Sequence, residues 1–124
     1  MQLPEKDESF LRERGFAWEF QPSGDHGILV IKGLVLASER FDRESTDLMI
    51  RVPQGYPVAA LDMYYVDPPL RLRTTNAHPI AADHFETHGG RRWQRFSRHL
   101  PQSWRPGVDN LRTYFAVILP ELRN

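Results

Sequence analysis

Val108, Leu111, Phe115, Ile118, Leu119 and Leu122 recur at three-, four- and seven-residue spacing near the end of the chain, which lines them along one stripe of an α-helix. No other feature constrains the fold as much. Burying each such side chain is worth roughly 1.5–3 kcal/mol before conformational entropy is charged. The helix therefore has to lie on an apolar surface supplied by the rest of the chain. Pro106-Gly107 marks its start. Pro120 would cost about 3 kcal/mol in a helix interior, so the spacing predicts a kink or an end near Leu119.

The preceding residues offer a sheet for that helix. Pro4-Glu5-Lys6-Asp7-Glu8 opens a short helix whose first-turn acids oppose the helix dipole, with Phe10 and Leu11 inward and Gly15 as its end. Phe16, Trp18 and Phe20 then alternate with small or polar residues, the period of a strand. A turn at Pro22-Ser23-Gly24-Asp25 leads into the apolar run Ile28–Leu36, where Gly33 marks a bulge or bend. After the polar loop Arg40–Thr46 come a strand over Asp47–Val52, a turn at Pro53-Gln54-Gly55-Tyr56-Pro57, and a strand over Leu61–Val66 that stops at Asp67-Pro68-Pro69. A short helix, a four-stranded antiparallel meander and a final amphipathic helix predict an α+β fold. A chain of 124 residues with 40% apolar content has material for one core, so residues 1–124 form a single domain.

Between Pro69 and that helix the regular pattern stops. Leu70–Trp104 is expected to be a long irregular segment, which inside a compact domain is usually functional. Its aromatic residues Phe85, Trp93, Phe96 and Trp104 argue against disorder. It also concentrates charge. Sixteen Lys and Arg balance sixteen Asp and Glu over the chain, yet Leu70–Pro106 sets seven arginines against Asp83 and Glu86 alone. Met1–Asp47 holds ten acidic and six basic side chains. The balanced total gives no argument for nucleic acid or for a membrane. No run approaches the roughly 18 apolar residues of a spanning helix, and Met1–Arg14 has no apolar core of a signal peptide. A cytoplasmic protein is the expectation. The chain has no cysteine, which excludes disulfides, thiolate metal sites and a cysteine nucleophile.

Three local marks give this order of elements a family likeness. Tyr56-Pro57 resembles the tyrosine-proline turn that ubiquitin-conjugating (E2) proteins place before their fourth strand. His78-Pro79-Ile80 resembles the histidine-proline-asparagine motif ahead of their active-site cysteine, with Ile80 in place of the asparagine. Trp104-Arg105-Pro106 resembles the Trp-x-Pro that follows it. Together with Tyr65-Val66-Asp67-Pro68 and the string Arg92-Trp93-Gln94-Arg95-Phe96-Ser97-Arg98-His99, these marks make nearly the whole chain similar to bacterial E2 family E. That resemblance implies a UBC-like fold and a part in a bacterial ubiquitin-like conjugation pathway. The partners it implies are a ubiquitin-like modifier, an E1-like activating enzyme and a JAB-type peptidase. Without a cysteine, the modifier would be bound or transferred with no thioester.

Several side chains stand near the position of the missing cysteine. The E2 spacing reaches Phe96 or Ser97 when counted back from Trp104, Trp93 when counted from Gly90, and His88 when counted from His78. Ser97 and His99 form one catalytic candidate, since a serine hydroxyl needs a base and histidine titrates near neutral pH. His88 forms another, because Gly89-Gly90 would let backbone N–H groups approach an oxyanion. His78, Arg92, Trp93, Arg95 and Trp104 are binding candidates. Their mix of arginine and aromatic rings suits an acidic protein tail, suits single-stranded nucleic acid less well, and is also what a core edged by solvent-facing arginines looks like. His84 and His88 are four residues apart, the spacing of a zinc pair on a helix, but no metal motif is complete. No cofactor and no metal are expected.

Overall fold

Strand alternation sorts the side chains of this chain onto two sheet faces, and the helices cover only one of them. The computed structural model describes residues 1–37 and 39–123. Its elements in chain order are α1 (Glu5–Glu13), β1 (Trp18–Ser23), β2 (His26–Val35), β3 (Ser45–Pro53), β4 (Met63–Asp67), β5 (His84–His88), β6 (Arg91–Ser97) and α2 (Leu111–Arg123). The sheet is antiparallel throughout, in the order β1-β2-β3-β4-β6-β5. Both helices and the predicted meander β1–β4 are present, so the α+β, UBC-like expectation holds.

One cross-strand row runs Phe20, Leu29, Ile50, Tyr64, Phe96. It faces Phe10 and Leu11 of α1 and the apolar stripe of α2, and together these make the main core. Tyr64 stacks on Phe96 with ring centroids 4.7 Å apart. The next row, Glu19, Val30, Met49, Tyr65, Arg95, His84, lies on the opposite face. There Ile28, Val30, Met49, Tyr65 and Trp93 form a smaller apolar cluster of their own, edged by charged side chains rather than roofed by a helix. At Gly33 the β2–β3 register slips between Ile31 and Leu34. Gly33 adopts φ +62° and donates its N–H to Asp47 Oδ1 at 2.8 Å, the bulge predicted for it.

Three expectations change. The segment Leu70–Trp104 is not wholly irregular: its second half is the β5–β6 hairpin, which gives the sheet six strands instead of four. Gly89 (φ +59°) and Gly90 (φ +76°) form the two-residue left-handed turn that matches strand twist. His84 and His88 therefore lie on a strand, not a helix. Second, α2 begins at Leu111 rather than Pro106-Gly107. Gly107 takes φ +81°, Asp109 folds back to accept the Arg105 N–H at 2.8 Å, and Val108 is left 55% exposed. Asn110 then caps the helix, its Oδ1 accepting the Thr113 N–H while Thr113 Oγ1 accepts its own N–H. Third, the helix passes through Pro120. The carbonyl that loses its partner belongs to Ala116, an exposed residue, so water can satisfy it. The last turn is also anchored: Leu122 is fully buried, its carbonyl accepts the Ala37 N–H at 2.9 Å, and Glu121 accepts the Tyr64 hydroxyl at 2.7 Å.

Among the described residues no helix is long and apolar enough to cross a membrane.

Candidate functional site

The three marks noted in the sequence have different structural fates. Tyr56 joins both helices. Its hydroxyl donates to Asp7 Oδ2 of α1 at 2.6 Å and accepts the N–H of Leu111, the first residue of α2, at 2.8 Å. Asp7 is 2% exposed. Burial pushes its carboxyl above the ordinary carboxylate range, against the opposing pull of the Tyr56 and Leu111 hydrogen bonds. Trp104 leans on the Tyr56 ring at 6.3 Å and donates its indole N–H to the Pro57 carbonyl at 2.9 Å. The tyrosine-proline turn and the Trp-x-Pro segment thus form one wall.

His78 belongs to a different contact. Its Nδ1 lies 3.4 Å from the Leu70 carbonyl and 3.3 Å from Gln94 Nε2, and its ring sits edge-on to Phe85. Gln94 is fully buried in β6. Its amide accepts from Leu70 N at 2.7 Å and donates to the Leu70 and Ala82 carbonyls at 3.1 and 2.7 Å. One side chain therefore pins both ends of the Leu70–Ala82 loop, and His78 packs against that pin. Ile80, standing where the E2 motif has asparagine, is 88% exposed.

On the open face Glu86 is the centre of a polar network. It accepts from His88 Nε2 at 2.8 Å, from Arg95 at 2.8 Å and from the Tyr65 hydroxyl at 3.2 Å, with His84 Nε2 at 3.5 Å. Burial raises the Glu86 carboxyl, but the donors His88, Arg95 and Tyr65 outweigh it and hold the group below its usual range. Burial first, then the Glu86 charge and hydrogen bond, pushes the Tyr65 phenol up to about 12. His88 is further enclosed by the rings of Tyr65 and His26. Trp93 is 2% exposed, gives its indole N–H to the His88 carbonyl at 3.2 Å and lies 4.3 Å beneath the Arg91 guanidinium. Arg92 is exposed and covers Phe85 at 4.3 Å. Among the described residues no group of three or more His, Asp or Glu side chains is arranged to hold a metal ion.

Ser97 and His99 do not meet as a pair. Ser97 ends β6 opposite Met63, half-buried, and among the described residues no hydrogen bond joins it to His99. His99 lies just beyond the strand, where its Nδ1 pairs with Asp62. Both side chains are well exposed, at 58% and 60%. A carboxylate only accepts, so in the neutral ring the proton lies on Nδ1 and Nε2 is the nitrogen left without a hydrogen bond among the described residues. The pair opens onto a groove of about 220 Å³ whose other walls include Leu61, Leu100 and Trp104. A histidine oriented by a carboxylate, with its far nitrogen free, can accept a proton or an acyl group. Sequence reasoning did not single out Asp62, Glu86, Asp7 or Gln94. Asp62 lies 37 positions from His99, and only the β4–β6 pairing brings the two together.

The fold and these marks define an E2-like protein. Residues 3–124 match prokaryotic E2 family E, and the chain belongs to that family. No curated protein and no solved structure shows a match to it.

Proposed function

We propose that this chain is the E2-like component of a bacterial ubiquitin-like conjugation pathway and that it handles the modifier's C-terminal acyl end at His99, without a cysteine thioester. The observation that carries the site is the His99–Asp62 pair: it opens onto the groove walled by Trp104, with one ring nitrogen uncommitted. His88 is a weaker choice because its Nε2 is already bonded to Glu86, and Ser97 is weaker because it has no base in contact. In the transfer step, His99 Nε2 bonds to the carbonyl carbon of the E1-linked modifier as the C–S bond breaks, and the thiolate stays on the E1-like partner. An acceptor amine then displaces the imidazole and gives up its proton to water. The partners are the modifier, an E1-like enzyme and a JAB-type peptidase, in the cytoplasm.

A second reading follows from the exposure of the same pair. An acyl-imidazole open to water hydrolyses readily, which favours a catalytically inactive E2 variant that holds the modifier for another enzyme. Incubation with the E1-like enzyme, modifier and ATP separates the two. Transfer predicts a hydroxylamine-labile adduct that is lost in His99→Ala and kept in His88→Ala and Ser97→Ala. An adduct that survives His99→Ala overturns the assignment of His99. Absence of any adduct with the wild-type chain, alongside modifier-induced amide shifts around Trp104, establishes the binding role instead.

A further inference from the structure

Asp62 has a second groove on its other side. This one encloses about 250 Å³ and is lined by Arg51, Pro53, Ala60, Asp62, Met63 and Tyr65. It shares Ala60 and Asp62 with the groove of His99, so the two are neighbours beside the end of β3 and the start of β4. Tyr65, 4% exposed, and Met63, half-buried against the same cluster, supply its apolar part, while Arg51 and Asp62 supply its charges.

Arg51 is the one arginine in this lining, and Arg14, Arg92 and Arg123 elsewhere also close no ion pair among the described residues. It lies on β3 in register with Ile28 and is exposed. Arg91, Arg95, Arg98, Arg105 and Arg112 each close an ion pair with a carboxylate. Arg51 closes no ion pair and donates no side-chain hydrogen bond among the described residues; its charge is felt only at a distance, by Asp25 and Tyr65. The carboxylate across the groove, Asp62, is already engaged by His99. A planar guanidinium left open in a groove suits a carboxylate brought in by a ligand. Asp62 also sets the position of that carboxylate, because a like charge close to it is repelled. The acid must sit at the Arg51 end, away from His99.

We infer that Arg51 is a specificity-determining residue that reads an acidic side chain in the modifier's tail, a few residues before the end handled at His99. The identity of the occupant rests on the role proposed for His99. The reading of an acid by Arg51 does not.

The test uses short glycine-rich peptides with a free C-terminus, alike except for one upstream residue that is glutamate, glutamine or lysine. Amide chemical shifts of the full chain are followed on titration. The glutamate peptide should move Arg51, Ala60 and Met63 and bind at least about tenfold more tightly than the glutamine peptide. Arg51→Gln should erase that preference, and Arg51→Glu should turn it toward lysine. The Arg51 guanidinium makes no hydrogen bond or ion pair among the described residues, so both variants should keep the wild-type melting curve. Equal binding of glutamate and glutamine peptides, or a preference that survives Arg51→Gln, overturns the inference. Coupling to the modifier tests His99 separately. Coupling without peptide preference removes Arg51 alone. Peptide preference without coupling or modifier binding removes the E2-like role and leaves the acid-reading site in place.

Discussion

The β5–β6 hairpin and the segment that follows it as far as Trp104 belong to one stretch without a sequence pattern, and they use the same residue types in opposite ways. In the hairpin these side chains are mostly engaged: Glu86 takes His88, Arg95 and Tyr65, and Arg91 pairs with Asp47 and Asp67 while covering Trp93. Beyond the hairpin His99 commits one nitrogen to Asp62, while Trp104 commits only its N–H. A basic and aromatic composition is therefore no guide to a site. What separates the two regions is whether a reactive atom is left unbonded at a groove, and in a chain without cysteine that decides where acyl chemistry can be sought.

The largest test of that contrast is Trp93→Ala. The side chain is almost wholly buried in the apolar cluster of the open face, so its loss should cost about 3–5 kcal/mol of unfolding free energy by denaturant titration. His99→Ala should stay within about 0.5 kcal/mol in the same measurement, as expected for an exposed site. A Trp93→Ala variant as stable as wild type would mean that the hairpin is not the rigid half. Next comes Gln94→Leu, which keeps the volume but strands the Leu70 N–H and the Leu70 and Ala82 carbonyls. Leaving such groups buried without partners should cost about 1–3 kcal/mol. Hydrogen exchange should then quicken at Leu70 and Ala82 while the amides of α2 keep their protection. Unchanged exchange at Leu70 and Ala82 would show that the loop is held by something other than Gln94.

Much of this architecture was legible before the structure. The alternation of Phe16, Trp18 and Phe20, the apolar runs Ile28–Leu36 and Asp47–Val52 and the tyrosine-rich Leu61–Val66 marked β1–β4, and the stripe from Val108 to Leu122 marked α2. The hairpin was missed although Gly89-Gly90 announced its turn. Its flanks, His84–His88 and Arg91–Ser97, carry charges on the face where strands usually show apolar residues, and those charges find partners, Glu86 within the hairpin and Asp47 and Asp67 on β3 and β4, only once the strands pair. The helix start was placed too early because Val108 fits the spacing, whereas the Arg105–Asp109 turn that displaces it depends on side-chain bonding. Of the site, His99 and Trp104 stood out by type. Asp62 did not, since an isolated acid before a tyrosine-rich strand has no pattern of its own until β4 and β6 are adjacent.

The smallest effect is the pH response of two carboxylates, one in each region. Glu86, in the hairpin, has its carboxyl held below the usual range when folded. Its contribution is therefore present above the unfolded value of 4.5 and lost as pH falls through the depressed folded value. Asp7, on the side of Tyr56 and Trp104, has its carboxyl raised by burial. Its ionisation opposes folding, so the fold gains from this group as pH falls from the raised value toward the unfolded 3.8. Melting temperatures of Glu86→Gln and Asp7→Asn followed from neutral pH to below the unfolded values of 4.5 and 3.8 should then diverge in sign. Glu86→Gln should lie below wild type at neutral pH and converge with it on acidification. Asp7→Asn keeps an acceptor for the Tyr56 hydroxyl, so it should match or exceed wild type at neutral pH and lose that margin on acidification. Parallel curves for the two variants would mean that both carboxylates answer to the same surroundings, and the contrast between hairpin and loop would then not extend to their electrostatics.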